Sequence, residues 1–382
     1  MTLDSQIGIG VYTTTHKGIG GRIRDSPEDF KVTEVLSEAA QKMISAGGSY
    51  AVYVLKKQGI DTNHALSDLR RHNGVRLKAL GLKDASAVTA QFVCSTSTGK
   101  AMQNYSSARY SVEHVGDAKR PLSKGDMVAN RFAVRIKDSG DVSSFSEYDK
   151  ILNFYGYQRF GSKRPITHLV GRAIIHRDFE KAVDILSTLD GQSQELDYEK
   201  RLDLLPKWMD IERAVLNKMI QSGDALLSLR AAPISMRRFY VHAYQSYIFN
   251  CTLSLAFSDG VDLFSVQDGD VCFDSHGKIG KYLKGLDQRL AVPFVGYAYY
   301  KKTRFARYIS QILHQEEVAP GDFFIKEMDE ASSEGGFRQA AVECKDCSVR
   351  GDVAEFTLSR GSFATMVLRE MIKPANPVAA GF

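Results

Sequence analysis

Lys83 and Asp84 follow the glycine at 81 and precede Ala85-Ser86-Ala87-Val88-Thr89-Ala90-Gln91, where polar and apolar residues alternate. Alternation with period two reads as a strand, so the charged pair stands where a turn enters a rigid element. Aspartate has an unperturbed pKa of about 3.9, so at neutral pH it can attack an electrophile or take a proton without a partner base. The end of a strand is a good place to hold such a carboxylate against a substrate. Gly-x-Lys-Asp also suits an ordinary surface turn, because Gly and Asp favour turn geometry. Spacing alone leaves both readings open.

Other chemistry is excluded by residue type and spacing. Cys344-Lys345-Asp346-Cys347 is a lone C-x-x-C with neither a second pair nor a nearby histidine, which argues against zinc. His168, His176 and His242 have no metal-ligand spacing, and Gly18-Ile19-Gly20-Gly21 lacks the Lys-Ser/Thr of a phosphate loop. There is no Gly-x-Ser-x-Gly and no paired-carboxylate signature of a hydrolase. Five cysteines in 382 residues do not make a disulfide framework, and a reducing, cytoplasmic setting is expected. No apolar run approaches the roughly 18 residues that span a bilayer. The first residues carry no secretory pattern.

The net charge of +5 leans towards polyanions, and its distribution says more. Between Tyr155 and Arg177 stand Arg159, Lys163, Arg164, Arg172 and Arg177, with no acidic residue. A second stretch, from Gly296 to Tyr308, interleaves Lys301, Lys302, Arg304 and Arg307 with Tyr297, Tyr299, Tyr300 and Phe305. Cations neutralise phosphates and aromatic faces stack on bases, so the two stretches together predict a nucleic-acid partner. Each alone is equally a solvated basic face over core aromatics.

Positioning these residues requires strands at 29–35, 50–55, 88–94 and 131–136, all rich in β-branched and aromatic residues. Thr62 is a candidate N-cap for a helix with Ala65, Leu66 and Leu69 on one face, ending near Gly74. The first third therefore reads as an α+β body. From about 160 to 229 apolar residues recur at three- and four-residue spacing, with a break near Arg177-Asp178. Residues 237–255 form a long helix candidate, and 353–370 read as strand, turn and helix. The tail, 373–382, with Pro374, Pro377 and Gly381, is expected to be loose.

Four further segments accompany 81–91: Ile23-Arg24-Asp25-Ser26-Pro27-Glu28-Asp29-Phe30, Asn130-Arg131-Phe132, Asn153 to Gly161 with its Gln158-Arg159-Phe160-Gly161, and Gly361-Ser362-Phe363-Ala364-Thr365. In this order and spacing the five closely resemble the TruD family of tRNA pseudouridine synthases, from about residue 20 to 371. The helix from Phe239 to Asn250 resembles the archaeal and eukaryotic members. The resemblance implies an α+β pseudouridine synthase fold with a largely antiparallel central sheet and an inserted mixed α/β domain. The expected boundaries are 1–159 and 336–382 for the catalytic body and tail, and 160–335 for the insertion. The helical run that starts near 160 agrees with them.

The resemblance also implies the chemistry. The family isomerises a uridine in RNA without cofactor or metal, cutting N1–C1′ and rejoining the base through C5. The family's invariant aspartate falls on Asp84 and its basic partner on Arg24, some members carrying lysine there. A guanidinium adds two-pronged bonding to a carboxylate and preserves that role. Phe132 matches the phenylalanine that stacks on the flipped base, and Asn130 the asparagine that positions the site. Lys83 is expected to contact phosphate or to cap the turn. Gln158 and Arg159 are expected either at the cleft and the RNA backbone or at the hinge of the insertion. Residues 361–365 are expected to pack under the catalytic loop. The implied substrate is tRNA, at uridine 13, and the implied assembly a monomer or weak dimer. Two alternatives stay open: the same reaction on another RNA, and a non-catalytic RNA-binding or chaperone module.

Overall fold

The computed structural model describes all residues except Met1, Asp84, Lys100, Ser143, Ser144, Ser146, Glu147, Ser162, Lys163 and 190–194. In chain order its strands begin with β1 Phe30–Leu36, β2 Tyr50–Lys57, β3 Leu77–Ala79, β4 Val88–Ser95, β5 Tyr105–Ser106, β6 Tyr110–Ala118, β7 Met127–Arg135 and β8 Lys150–Leu152. They continue with β9 Val271–Phe273, β10 Ile279–Lys281, β11 Arg289–Phe294, β12 Gly336–Gln339, β13 Ala341–Arg350 and β14 Val353–Ser359. The chain packs as two compact units. One is Thr13–Ile151 with Val342–Phe382, the other Met1–Tyr12 with Leu152–Ala341.

The first unit is built on one large sheet, in the order β5-β6-β2-β4-β1-β7-β14-β13-β8, with β3 also on β4. β1 and β4 run parallel, while β1–β7, β7–β14, β13–β14, β2–β4 and β2–β6 are antiparallel. This is the α+β, largely antiparallel architecture expected. In β1 the alternating pattern buries Phe30, Val32, Glu34 and Leu36 on one face. The helix Thr62–Asn73 lays Ala65 and Leu69 on a core with Tyr53, Leu55, Val75, Leu77 and Val93. Its cap falls one residue earlier than expected. Asp61 Oδ1 accepts from the Asn63 and His64 amides, which releases the Thr62 hydroxyl for another role. Gly74, at φ +67°, ends the helix in the left-handed conformation.

The tail is not loose. The Ile23 amide donates to Ala380 O at 2.9 Å, and the Phe382 side chain is buried. Here burial of an aromatic terminus overrides the proline and glycine content that suggested disorder.

The second unit combines helices with a four-stranded sheet, β10-β9-β11-β12. Helices Thr167–Ile175 and Phe179–Ser187 break at Arg177, whose φ is +62°, close to the expected position. The helix Ile234–Ser258 carries thirteen buried residues and runs through the core of the unit. It approaches Thr167–Ile175 at Gly171, where a Cβ would lie 2.0 Å from Tyr240 O. Only glycine fits there.

The arginines expected to face phosphate between 155 and 177 are engaged inside this unit. Arg164 donates to the carbonyls of Ile185, Leu186 and Thr188, closing the end of the Phe179–Ser187 helix. Arg177 donates to Ile175, Asp322 and Phe324 carbonyls, and Arg172 pairs with Glu316 at 2.9 Å. Composition registers their charge but not that backbone carbonyls and a carboxylate already satisfy it.

β7 starts from a turn clamped by Asp126. Its carboxylate accepts from Arg120 Nη1 and Nη2 at 2.8 Å each, from the Ser123 amide at 2.7 Å and from the Ser123 hydroxyl at 3.0 Å. The Arg120 bonds, aided by Ser123 against the opposing effect of burial, hold the Asp126 pKa at about 2. A depressed carboxylate stabilises the fold above its unfolded value, near 3.8, and that stability is lost as pH falls towards 2. Asp126→Asn is expected to lower stability by about 1–2 kcal/mol at pH 7. The deficit should shrink from pH 4 to pH 2, as read from urea unfolding across that range.

Candidate active site

The site begins with the register of three adjacent strands. Val32, Phe132 and Phe356 lie opposite one another on β1, β7 and β14, and so do Glu34, Asn130 and Leu358. The pleat puts Asn130 and Phe132 on the face that holds Phe30, Val32 and Glu34. Arg131 is on the other face, 3.6 Å from Glu355. Phe132 is 8 % exposed and stacks on Phe356, with centroids 5.2 Å apart and planes at 23°. Phe30 meets it edge-on at 6.1 Å. The Arg24 guanidinium lies 4.4 Å from the Phe30 ring centroid, a cation–π contact. Arg24 has φ +63°, a conformation that costs a residue with a Cβ about 1 kcal/mol or more.

The loop between β3 and β4 is anchored to the same face. Gly81 O accepts from Gln91 Nε2 at 3.0 Å, and the Lys83 amide donates to Thr62 Oγ1 at 2.9 Å. That hydroxyl in turn donates to Gln91 Oε1 at 2.9 Å, joining helix, loop and β4 through one atom. Lys83 Nζ stands 2.8 Å from Glu34 Oε1, with the side chains 11 % and 0 % exposed. Glu34 Oε2 accepts from the Phe92 amide at 2.8 Å. On the far side of the turn, the Gly59 amide donates to Ala85 O at 3.1 Å. The buried Lys57 Nζ donates to Ile60 O at 3.0 Å and steadies the segment that carries Gly59. Asp84 lies outside the described residues, but its neighbours Lys83 and Ala85 are both fixed. Asn130 Oδ1, the cross-strand neighbour of Glu34, is buried and has no hydrogen-bond partner among the described residues.

Of the residues singled out in the sequence, Arg24, Lys83, Asn130 and Phe132 are therefore linked along one face of the large sheet. Gln158 and Arg159 belong to the other unit, in the turn Tyr157–Arg159. The Arg159 guanidinium carbon lies 5.2 Å from both the Tyr155 and the Phe239 ring centroids, and Nε donates to Ser246 Oγ at 3.1 Å. Burial lowers its pKa from the usual arginine value. Among the described residues, no three or more His, Cys, Asp or Glu side chains gather to hold a metal ion. No helix among them is long and apolar enough to cross a membrane.

The sequence reading gave no site role to Glu34 or Gln91, and gave Thr62 only that of a helix cap. The signal for the first two is a polar residue on the buried phase of a strand: Glu34 continues Phe30 and Val32, and Gln91 precedes Val93. Thr62→Val would leave the Lys83 amide without its acceptor and Gln91 Oε1 without its donor. A loss of about 1–3 kcal/mol is expected, together with a larger rise in hydrogen exchange at Lys83 than within β4. Denaturant unfolding and amide exchange measure both.

The chain matches the family model of tRNA pseudouridine synthase D (TruD) over residues 6–371. A curated relative from Pyrobaculum islandicum, named Probable tRNA pseudouridine synthase D, is 30 % identical over 99 % of this chain and 98 % of its own. One of the same name from Methanosarcina mazei is 30 % identical and covers 98 % of each chain. A TruD crystal structure from Methanosarcina mazei superposes with a TM-score of 0.78 at 28 % identity, over 98 % of both chains. On the family match and on relatives alike over nearly the whole of both chains, the chain belongs to the TruD family of tRNA pseudouridine synthases.

Proposed function

We propose that this protein isomerises uridine to pseudouridine in tRNA, at position 13, with Asp84 as the essential carboxylate. The reading is carried by the anchored loop around residue 84, beside the Arg24–Phe30–Phe132–Phe356 row. In the reaction the N1–C1′ bond breaks, a C5–C1′ bond forms, N1 gains a proton and C5 gives one up. An ionised carboxylate serves this chemistry whether it attacks C1′, adds to C6 or removes a proton from the sugar. Arg24 keeps that carboxylate charged and oriented.

The base must leave its stack to be reached, at a cost of a few kcal/mol that aromatic contact in the pocket partly offsets. Phe132 supplies that face, backed by Phe356. Asn130 Oδ1, unpartnered among the described residues, accepts a hydrogen bond from the everted base. Lys83 holds the loop through Glu34 in place of a phosphate contact. The unit Thr13–Ile151 with Val342–Phe382 is the catalytic body, and the second unit carries the family's insertion. Arg159 is a packing element of that second unit, as its contacts with Tyr155, Phe239 and Ser246 favour, and Gln158 lies beside it where the chain enters.

Asp84→Asn is expected to reduce pseudouridine formation by more than about a thousandfold while tRNA affinity changes less than threefold. Phe132→Leu should lower kcat/KM by about ten- to a hundredfold. Mapping pseudouridine in an unmodified tRNA transcript incubated with purified protein checks both. Product at a position other than 13 would redirect the substrate assignment, and turnover by Asp84→Asn would remove the carboxylate from its role.

A further inference from the structure

The second unit carries a surface that neither its core nor its sheet explains. β9 and β10 form a hairpin at the edge of the four-stranded sheet, and all three residues of β10 are exposed. The loop that leaves it is firmly built. Gln288 accepts from the Leu283 amide at 2.7 Å through Oε1 and donates to Lys281 O at 3.1 Å through Nε2. Gly285, at φ +88°, makes the turn. The ordered loop displays Leu283 and Leu286, 58 % and 57 % exposed, between the exposed lysines 278, 281 and 284. From 271 to 288 the acidic residues are Asp287 and Asp274, whose carboxylate accepts from the His276 and Lys278 amides at 2.9 and 2.8 Å in the hairpin turn.

This hairpin is tied to the tyrosine- and lysine-rich stretch seen in the sequence. The Tyr282 amide donates to Asp270 O at 2.9 Å, and the Asp270 carboxylate pairs with Arg304 at 3.2 Å. Arg304 is thereby engaged, and Arg307 pairs with Asp259 at 3.0 Å. The remaining charge of that stretch is on the exposed Lys302 and on the exposed Lys301, whose Nζ lies 5.9 Å from the Tyr299 ring centroid. Five lysines thus stand on two segments joined through one buried aspartate.

We infer that the β9–β10 hairpin, together with Lys301 and Lys302, is a docking surface for the phosphate backbone of a folded RNA, which rests on the tRNA function proposed above. Charge complementarity selects the partner, because exposed lysines on both segments outnumber the carboxylates Asp274 and Asp287 beside them and attract a phosphate-lined chain. The Gln288 clamp keeps the loop in shape before binding, so little ordering is needed when the RNA arrives. Leu283 and Leu286 then cover ribose and base faces between the phosphate contacts. Lysines on an edge strand also deter strand addition, but that role accounts for neither the leucines nor Lys284.

The test compares the full-length protein with the Lys278→Gln/Lys281→Gln/Lys284→Gln variant. Unmodified tRNA transcript is titrated across a salt series, and single-turnover pseudouridine formation is followed at saturating enzyme. These side chains are solvent-exposed, so the thermal midpoint should stay unchanged. If it falls, the three single variants take the place of the triple one. The expected result is a ten- to hundredfold weaker Kd, a salt slope reduced by about 2–3, and a saturating rate within twofold of the parent. An unchanged slope and Kd would overturn the inference, as would a variant that only self-associates. A parent protein that binds tRNA with the expected slope difference but forms no pseudouridine would instead defeat the functional reading and leave the docking surface standing.

Discussion

A lysine and a glutamate, both removed from water, fix the geometry of this site. Lys83 and Glu34 meet at 2.8 Å beneath the loop that precedes β4. Such a pair adds little net stability compared with apolar residues of the same shape, but separating its members leaves a buried charge uncompensated. Any alternative position of the loop would do that. The pair therefore selects one loop conformation, and the neutral bonds from Thr62 and Gln91 hold the backbone within it.

The aromatic row supplies the other half of the constraint. Phe30, Phe132 and Phe356 are drawn from the beginning, middle and end of the unit that holds the large sheet, and the strand order alone makes them neighbours. The stacked Phe132 and Phe356, met edge-on by Phe30, give an apolar wall next to the polar groups of Glu34, Gln91 and Asn130. Arg24 closes the row in a backbone conformation that a residue with a Cβ rarely adopts. The guanidinium's position over Phe30 offsets that strain, an arrangement typical of residues held for chemistry more than for stability.

Strands and helices were legible where periodicity was strong. The residues around 30–36 and 88–95 alternate, those at 50–55 are β-branched, aromatic or otherwise apolar, and the long helix after Pro233 carries an unbroken run of helix-compatible residues. The readings that failed share one cause, since each depends on what a side chain or terminus meets in space. The cap moved from Thr62 to Asp61 because the threonine hydroxyl bonds a loop about twenty residues away. The arginines between 155 and 177 resemble a phosphate stripe until the carbonyls they serve are located. The tail looked loose because proline and glycine were counted, whereas its aromatic end is buried.

By itself the sequence determined the family, the α+β class and the residue types at the site, because five short segments in fixed order carry them. The register of β1, β7 and β14 then placed Phe132 and Asn130 on one face and Arg131 on the other. The tertiary structure decided which polar groups are mutually satisfied. Hydrogen bonds and ion pairs between residues far apart in the chain form only once sheet order and register bring them within about 3 Å. That is why Glu34, Gln91 and Thr62 emerged as the supports of the loop, and why the exposed lysines of the β9–β10 hairpin, more than the arginines of the longer basic run, remain available to a partner.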